Sequence, residues 1–161
     1  MKFKRIFKVI PVPIFYVDKV RDMFAGVSYG MWVKIKKEYR DDEGLLQHEL
    51  THCKQWYRTF GIHGCMCIAS TGKFWFIKFP GWLVKRGKKW KFKAEVEAYV
   101  IQTIYCSENL HLSRIDLFAG FIADRYGLDV TKEEAKEALL EEYLSIDWRE
   151  VDVEAENEEQ E

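Results

Sequence analysis

The sequence lacks any apolar run long enough to cross a membrane. Its nearest approach, Phe74 to Val84, is short and interrupted by Lys78, Pro80 and Gly81. Lys2, Lys4 and Arg5 form a basic start. The apolar stretch behind them is broken at Lys8, Pro11 and Pro13, and no small-residue cleavage site follows, which argues against a secretory leader. Cysteine is scarce: four in 161 residues do not make a disulfide framework. Net charge is also nearly absent, at −1, so no global field draws the chain to nucleic acid. The expectation is a cytoplasmic protein with reduced thiols, with neither nucleic acid nor a membrane as its partner.

Apolar residues are plentiful. They make up 48% of the chain and aromatics 16%, too much for disorder and enough for one domain with a real core. The small net charge conceals an asymmetry. Residues 147–161 hold eight acids against Arg149 alone, a charge of −7 that leaves +6 on the rest. The apolar content there is too low to fold, so residues 1–150 read as the domain and 151–161 as a disordered acidic tail. Segment 73–93 is the counterpart, with eight Lys or Arg and no acid, interleaved with seven aromatic residues.

The pattern along the chain places strands before helices, which indicates an α+β fold. Phe3 to Val9 reads as a strand ended by Pro11 and Pro13, and Asp18 to Phe24 as a short helix. Tyr29 to Tyr39 reads as a strand with Met31, Val33 and Ile35 on one face. The period then changes. Glu43 to Phe60 is a helix with Asp41 or Asp42 as N-cap and Gly61 as its stop; Leu46, Leu50, Cys53 and Tyr57 form its core stripe. Lys93 to Cys106 is a second helix. Ser113 to Tyr126 is a third, with Ile115, Phe118, Ala119 and Ile122 inward. Thr131 opens a fourth, with a capping box to Glu134 and an apolar face of Leu139, Leu140, Tyr143 and Leu144.

The first helix contains Gln47-His48-Glu49-Leu50-Thr51-His52, a His-Glu-x-x-His sequence. Histidines four apart project from one helix face and can share one metal ion, and Glu49 then sits beside the metal, where it can take a proton from a bound water. A catalytic zinc needs a third protein ligand. His63 is one candidate, beyond the helix stop. Glu95 is the better one, because Ala98 at i+3 is small enough to let its helix approach closely. On spacing alone, Glu95 and Glu97 read equally well as solvated carboxylates.

These residues carry a resemblance. Tyr39, the run Leu45 to Trp56 and the later Glu95-Val96-Glu97-Ala98-Tyr99 resemble the gluzincin branch of zinc metallopeptidases, in particular small single-domain minigluzincins. The likeness spans roughly Tyr29 to Cys106. Gln55 and Arg58 stand where a metzincin would have Gly and His, which excludes that branch. The resemblance implies a zincin-like fold, with a short mixed or antiparallel sheet packed on the His-Glu-x-x-His helix and a mostly helical C-terminal half. It implies His48, His52 and Glu95 as Zn2+ ligands, Glu49 as general base and a peptide or protein as substrate. It also implies that the strand Tyr29 to Tyr39 lines the cleft and pairs with an extended peptide. In one departure, Tyr99 stands where many gluzincins have an Asp that orients a zinc histidine; a phenol can hydrogen-bond an imidazole in its place.

An oxyanion stabiliser is also needed, and His63, Tyr99, Tyr105, His111 and Arg114 are the candidates. The cysteines read as core thiols, since Cys65-Met66-Cys67 lacks the second ligand pair of a structural zinc site. Segment 73–93 reads first as a hairpin or loop with packed aromatics and solvated lysines. Its alternatives are a single-stranded nucleic-acid surface and a shallow membrane contact. A zincin-fold binding module that cleaves nothing is the main rival to the peptidase.

Overall fold

Basic–apolar alternation at the N-terminus forms a hairpin where one strand was expected. In the computed structural model, which describes residues 2–20, 24–74, 77–105 and 110–146, strand β1 (Lys2–Ile6) turns back at once into β2 (Ile10–Val17). Phe7 and Lys8 both take positive φ, +51° and +61°, and the Val9 amide bonds the Ile6 carbonyl, the geometry of a type I′ turn. Pro11 and Pro13 lie inside β2 instead of ending a strand. They share one parity, so both missing N–H groups lie along one edge, and the next strand joins that edge only from Ile14 onward.

The stretch read as one strand from Tyr29 to Tyr39 is likewise divided. β3 (Gly26–Ser28) turns through Tyr29–Trp32 into β4 (Val33–Lys36), and a 3₁₀ turn, Lys37–Tyr39, follows. The sheet order is β1-β2-β4-β3, with β2 and β4 parallel and the other pairs antiparallel. Val33 and Ile35 face the core as expected, whereas Met31 is exposed in the turn. No helix forms over Asp18–Val20, and residues 21–23 lie outside the described residues.

Helix α1 (Glu43–Arg58) is capped by Asp42, whose side chain accepts from the Leu45 amide at 2.8 Å. Leu46, Leu50 and Cys53 pack with Ile6, Val12, Ile14, Val33 and Ile35, which makes the sheet-side core. Beyond Gly61 the chain forms α2 (Ile62–Ser70), which periodicity did not reveal, and a small hairpin of β5 (Lys73–Phe74) and β6 (Ile77–Lys78).

The largest correction concerns the second predicted helix. α3 runs from Gly81 to Ile104, so most of the basic segment is helix and not hairpin or loop. Its twelve extra residues are held by contact with α2. A Cβ on Gly87 would lie 2.7 Å from both the Met66 carbonyl oxygen and the Ser70 nitrogen. Lysines on the opposite face hid the periodicity. Helices α4 (His111–Arg125) and α5 (Lys132–Leu144) complete a second core with Val96, Tyr99 and Val100 of α3. Ile115, Phe118, Ala119, Ile122 and Leu139 are buried as expected, and the Thr131–Glu134 capping box is present. Leu144 is exposed, because α5 ends there beyond its packed turns. Among the described residues no helix is long and apolar enough to cross a membrane. Cys106 and the acidic segment 147–161 lie outside the described residues.

Candidate metal centre

Helix α1 is buried on two sides. Its apolar stripe faces the sheet, and the adjoining side, with Gln47, His48, Thr51 and Gln55, is buried as well. Packing against α3 is close because the residues at the crossing are small. Ala94 and Ala98 are buried on α3, and a Cβ on Gly44 would stand 3.1 Å from the Gln102 carbonyl oxygen. The approach delivers Glu95 to the histidines. Its Oε2 lies 3.8 Å from His48 Nε2 and 3.5 Å from His52 Nε2, and one ligand atom from each residue falls within 4.8 Å of the others.

The donor set fits a metal ion. Glu95 Oε2, the atom that faces both imidazoles, is buried without a hydrogen-bond partner among the described residues. Such an orphaned atom is costly unless something satisfies it. The Nε2–Oε2 separations exceed those of a charge-assisted hydrogen bond, and two imidazoles with one carboxylate form a set that borderline divalent cations accept. The buried group can therefore hold a metal ion. His63 and His111 are not members of it.

Without a cation, the three groups set one another's charge. Burial, then His52, push His48 down to about 3. Burial would also lower His52, but the Glu95 carboxylate, with help from Glu49 and Gln55, raises it to about 9. Burial works to raise Glu95 as well; His52 first and then His48 outweigh it and hold the carboxyl low. A buried anion thus neutralises one imidazolium, a charge state that a divalent cation would replace.

Glu49 sits one residue round the helix, against the edge strand β3. Gly26 makes the space: a Cβ there would lie 2.8 Å from Glu49 Oε1. The Ser28 backbone N–H hydrogen-bonds the carboxylate, but burial dominates and lifts its pKa to about 7. A carboxyl with that value exchanges protons readily at neutral pH.

The remaining predicted residues divide. Tyr99 packs edge-on against His48, with ring centroids 4.4 Å apart, yet its hydroxyl pairs with Tyr126 Oη at 2.9 Å and not with the imidazole. His63, on α2, stacks beside His52 at 5.9 Å. It accepts from the Trp90 indole N–H at 3.3 Å and meets Cys67 Sγ at 3.5 Å. His111 bonds Tyr143 Oη at 2.7 Å on the α4–α5 side. Tyr105 caps α3, and Arg114 is exposed on the first turn of α4. Cys53 is a buried thiol as expected. Cys65 is exposed and Cys67 half-buried, because a helix turns alternate residues away from one another.

The sequence reading missed Gly26, Tyr126 and the role of Gln55. Gln55 lies three residues after His52, a spacing that places it on the same helix face, and its Oε1 sits 2.9 Å from His52 Nδ1. That signal was legible. Nothing in the sequence announces Gly26, whose role depends on where β3 crosses α1. Comparison with protein-family models, curated proteins and solved structures finds no match for this chain.

Proposed function

We propose that this chain is a zinc-dependent metallopeptidase with a zincin-like fold of the gluzincin type. The observation that carries the reading is the convergence of His48, His52 and Glu95 on one buried point, with the carboxyl of Glu49 beside it. Two imidazoles and one carboxylate leave a fourth position open, as hydrolytic zinc sites require. When bound, zinc lowers the pKa of water toward neutrality and polarises a carbonyl.

The chain supplies the rest. Glu49 takes the proton of the attacking water and returns it to the leaving amine. The sheet edge that receives an extended peptide is β3, because β4 is paired on both sides. β3 runs beside Glu49, so a peptide laid along it is brought to the base. In the Tyr99–Tyr126 pair one hydroxyl donates to the other, which leaves one O–H to donate to the developing oxyanion. Burial holds both phenols above their ordinary pKa, so they stay protonated.

Glu49→Gln is expected to keep zinc and lower peptide hydrolysis by about 10²–10⁴-fold, the usual scale for losing a general base. Glu95→Ala is expected to lose zinc to a mild chelator, while Glu97→Ala retains it. Metal analysis and assay on a peptide library check both. Zinc bound by a wild type that cleaves no peptide would favour the binding-module reading. The basic segment offers less to a single-stranded nucleic acid than its composition suggests. Trp82 is openly exposed, but Trp90 bonds His63 and Phe92 packs on the core. Retention on single-stranded DNA that falls with salt would revive that reading.

A further inference from the structure

We propose that Gln55 is the residue that holds His52 in its metal-binding tautomer, as the inner link of a chain running Arg58–Glu97–Gln55–His52. The inference rests on the metal-binding part of the proposed function and not on hydrolysis. Its basis is the polarity of one side-chain amide. Gln55 Nε2 lies 3.0 Å from the Ala94 carbonyl oxygen and 2.9 Å from Glu97 Oε2. Both are acceptors with no proton to give. If the amide were turned over, its oxygen would face two further oxygens and both bonds would become repulsions. The nitrogen must therefore face α3 and the oxygen must face His52.

That orientation assigns the proton on the imidazole. Gln55 Oε1 can only accept, so the hydrogen bond at 2.9 Å to His52 Nδ1 requires an N–H at Nδ1. The lone pair of the neutral ring is then at Nε2, the atom that faces Glu95 Oε2. The assignment matters because Glu95 pulls the other way: in the absence of metal, its carboxylate favours a proton on Nε2, which would block the ligand position. Gln55 offsets that pull from the far side of the ring.

The chain is anchored at its outer end. Arg58 Nη1 donates to Glu97 Oε1 at 3.1 Å, which leaves Glu97 Oε2 for Gln55. Gln55 is buried while Glu97 and Arg58 are partly exposed, so the network passes from the metal site to the surface across the α1–α3 contact. Glu97 therefore serves the site without facing it. The two histidines differ in this respect. His48 has the Ala98 carbonyl nearby, but its Nδ1 lacks a partner at hydrogen-bonding geometry. His52 is the firmly oriented ligand of the pair. Partners of this kind typically change metal affinity by about 10–100-fold when lost.

The test compares wild type, Gln55→Leu and the exchanged pair Gln55→Glu with Glu97→Gln. The exchange restores an acceptor toward Nδ1 and a donor between positions 97 and 55, but it sets a carboxylate oxygen against the Ala94 carbonyl, so it is scored by the tautomer alone. Zinc affinity is measured by competition with a chromophoric chelator. The His52 tautomer is read in metal-free protein at pH 10 from long-range 1H–15N spectra, and metal-free melting controls for folding. Gln55→Leu is expected to weaken zinc binding by about 10–100-fold and to move the His52 proton from Nδ1 to Nε2, and the exchanged pair to return that proton to Nδ1. An Nδ1 proton that persists in Gln55→Leu, or affinity within about twofold of wild type, would overturn the assignment while leaving the peptidase reading intact. A loss of affinity matched by lower metal-free melting, with no Nδ1 proton on His52 in the exchanged pair, would reduce Gln55 to a packing role. A wild type that cleaves no peptide, with affinity and tautomer behaving as expected, would count against the peptidase and leave the role of Gln55 standing.

Discussion

Each imidazole of the pair experiences burial and charge in a different balance, and the difference has a measurable consequence. His52, raised to about 9, binds a proton in the folded state that the unfolded chain releases near pH 6.5. Its contribution to stability is complete below pH 6.5 and is lost as pH rises through about 9. His48, lowered to about 3, has the opposite sign and withdraws stability as pH falls below 6.5. Glu49, raised to about 7, withdraws stability between about 4.5 and 7 as pH rises. Above pH 7 the His52 contribution remains. Metal-free protein is therefore expected to lose on the order of 1–2 kcal/mol between pH 7 and pH 9, and His52→Ala to flatten that slope. Urea titrations in chelator at the two pH values measure it. Gly26 is the second residue whose chemistry depends on its surroundings. A methyl group there would meet the Glu49 side chain from Cγ to Oε1. Gly26→Ala is expected to leave zinc content unchanged and to lower hydrolysis by on the order of 10²-fold, through displacement of the base. Steady-state rates beside metal analysis separate the two effects.

At the scale of elements, α1 and α3 share the work of building the centre. α1 lays one stripe of apolar side chains on the sheet and presents an adjoining polar side to α3. α3 needs length to serve both neighbours. Its C-terminal half joins α4 and α5, and its N-terminal half lies against α2. The α2–α3 crossing is so close that Gly87 meets backbone, which cannot move aside as a side-chain tip can. Gly87→Ala is expected to cost about 1–3 kcal/mol, the scale of overpacking, measured as a shift in denaturation midpoint. His63 and Trp90 bridge the same two helices, so the variant is also expected to alter the surroundings of His52. A fluorescence change from Trp90 that tracks the stability loss would report this.

At the scale of the molecule the described residues form two hydrophobic cores, one of sheet and α1, the other of α3, α4 and α5. The candidate ligands come from both sides: two from α1 and one from α3. A bound ion therefore ties the two cores together, and binding free energy adds to folding free energy. Zinc at a hundred times its dissociation constant is expected to raise stability by about 2.7 kcal/mol, and Glu95→Ala to show no such gain. Thermal unfolding with and without chelator measures the increment. A midpoint indifferent to zinc in wild type would mean that the ion, if bound, does not link the cores.

The amino-acid sequence by itself determined the chemistry-bearing helix, its cap and its stripe. These depend on local spacing: Asp42 three residues before Leu45, apolar residues four and three apart, and histidines one turn apart. The same holds for α4, α5 and the Thr131–Glu134 box. Glu95 was legible only together with Ala98, since a carboxylate alone does not reveal which way it faces. The tertiary structure decided the rest. Local periodicity cannot report a helix such as the first half of α3, where the closest contact is made by a glycine and five basic residues interrupt the apolar pattern. Nor can it report a free sheet edge, because β3 rather than β4 became the edge through strand order, and strand order is set by long-range pairing. The positions of Gly26 beside Glu49 and of Glu97 behind Gln55 follow from how α1 crosses β3 and α3. Such crossings depend on the volumes of side chains far apart in sequence, and only the folded chain brings those volumes together.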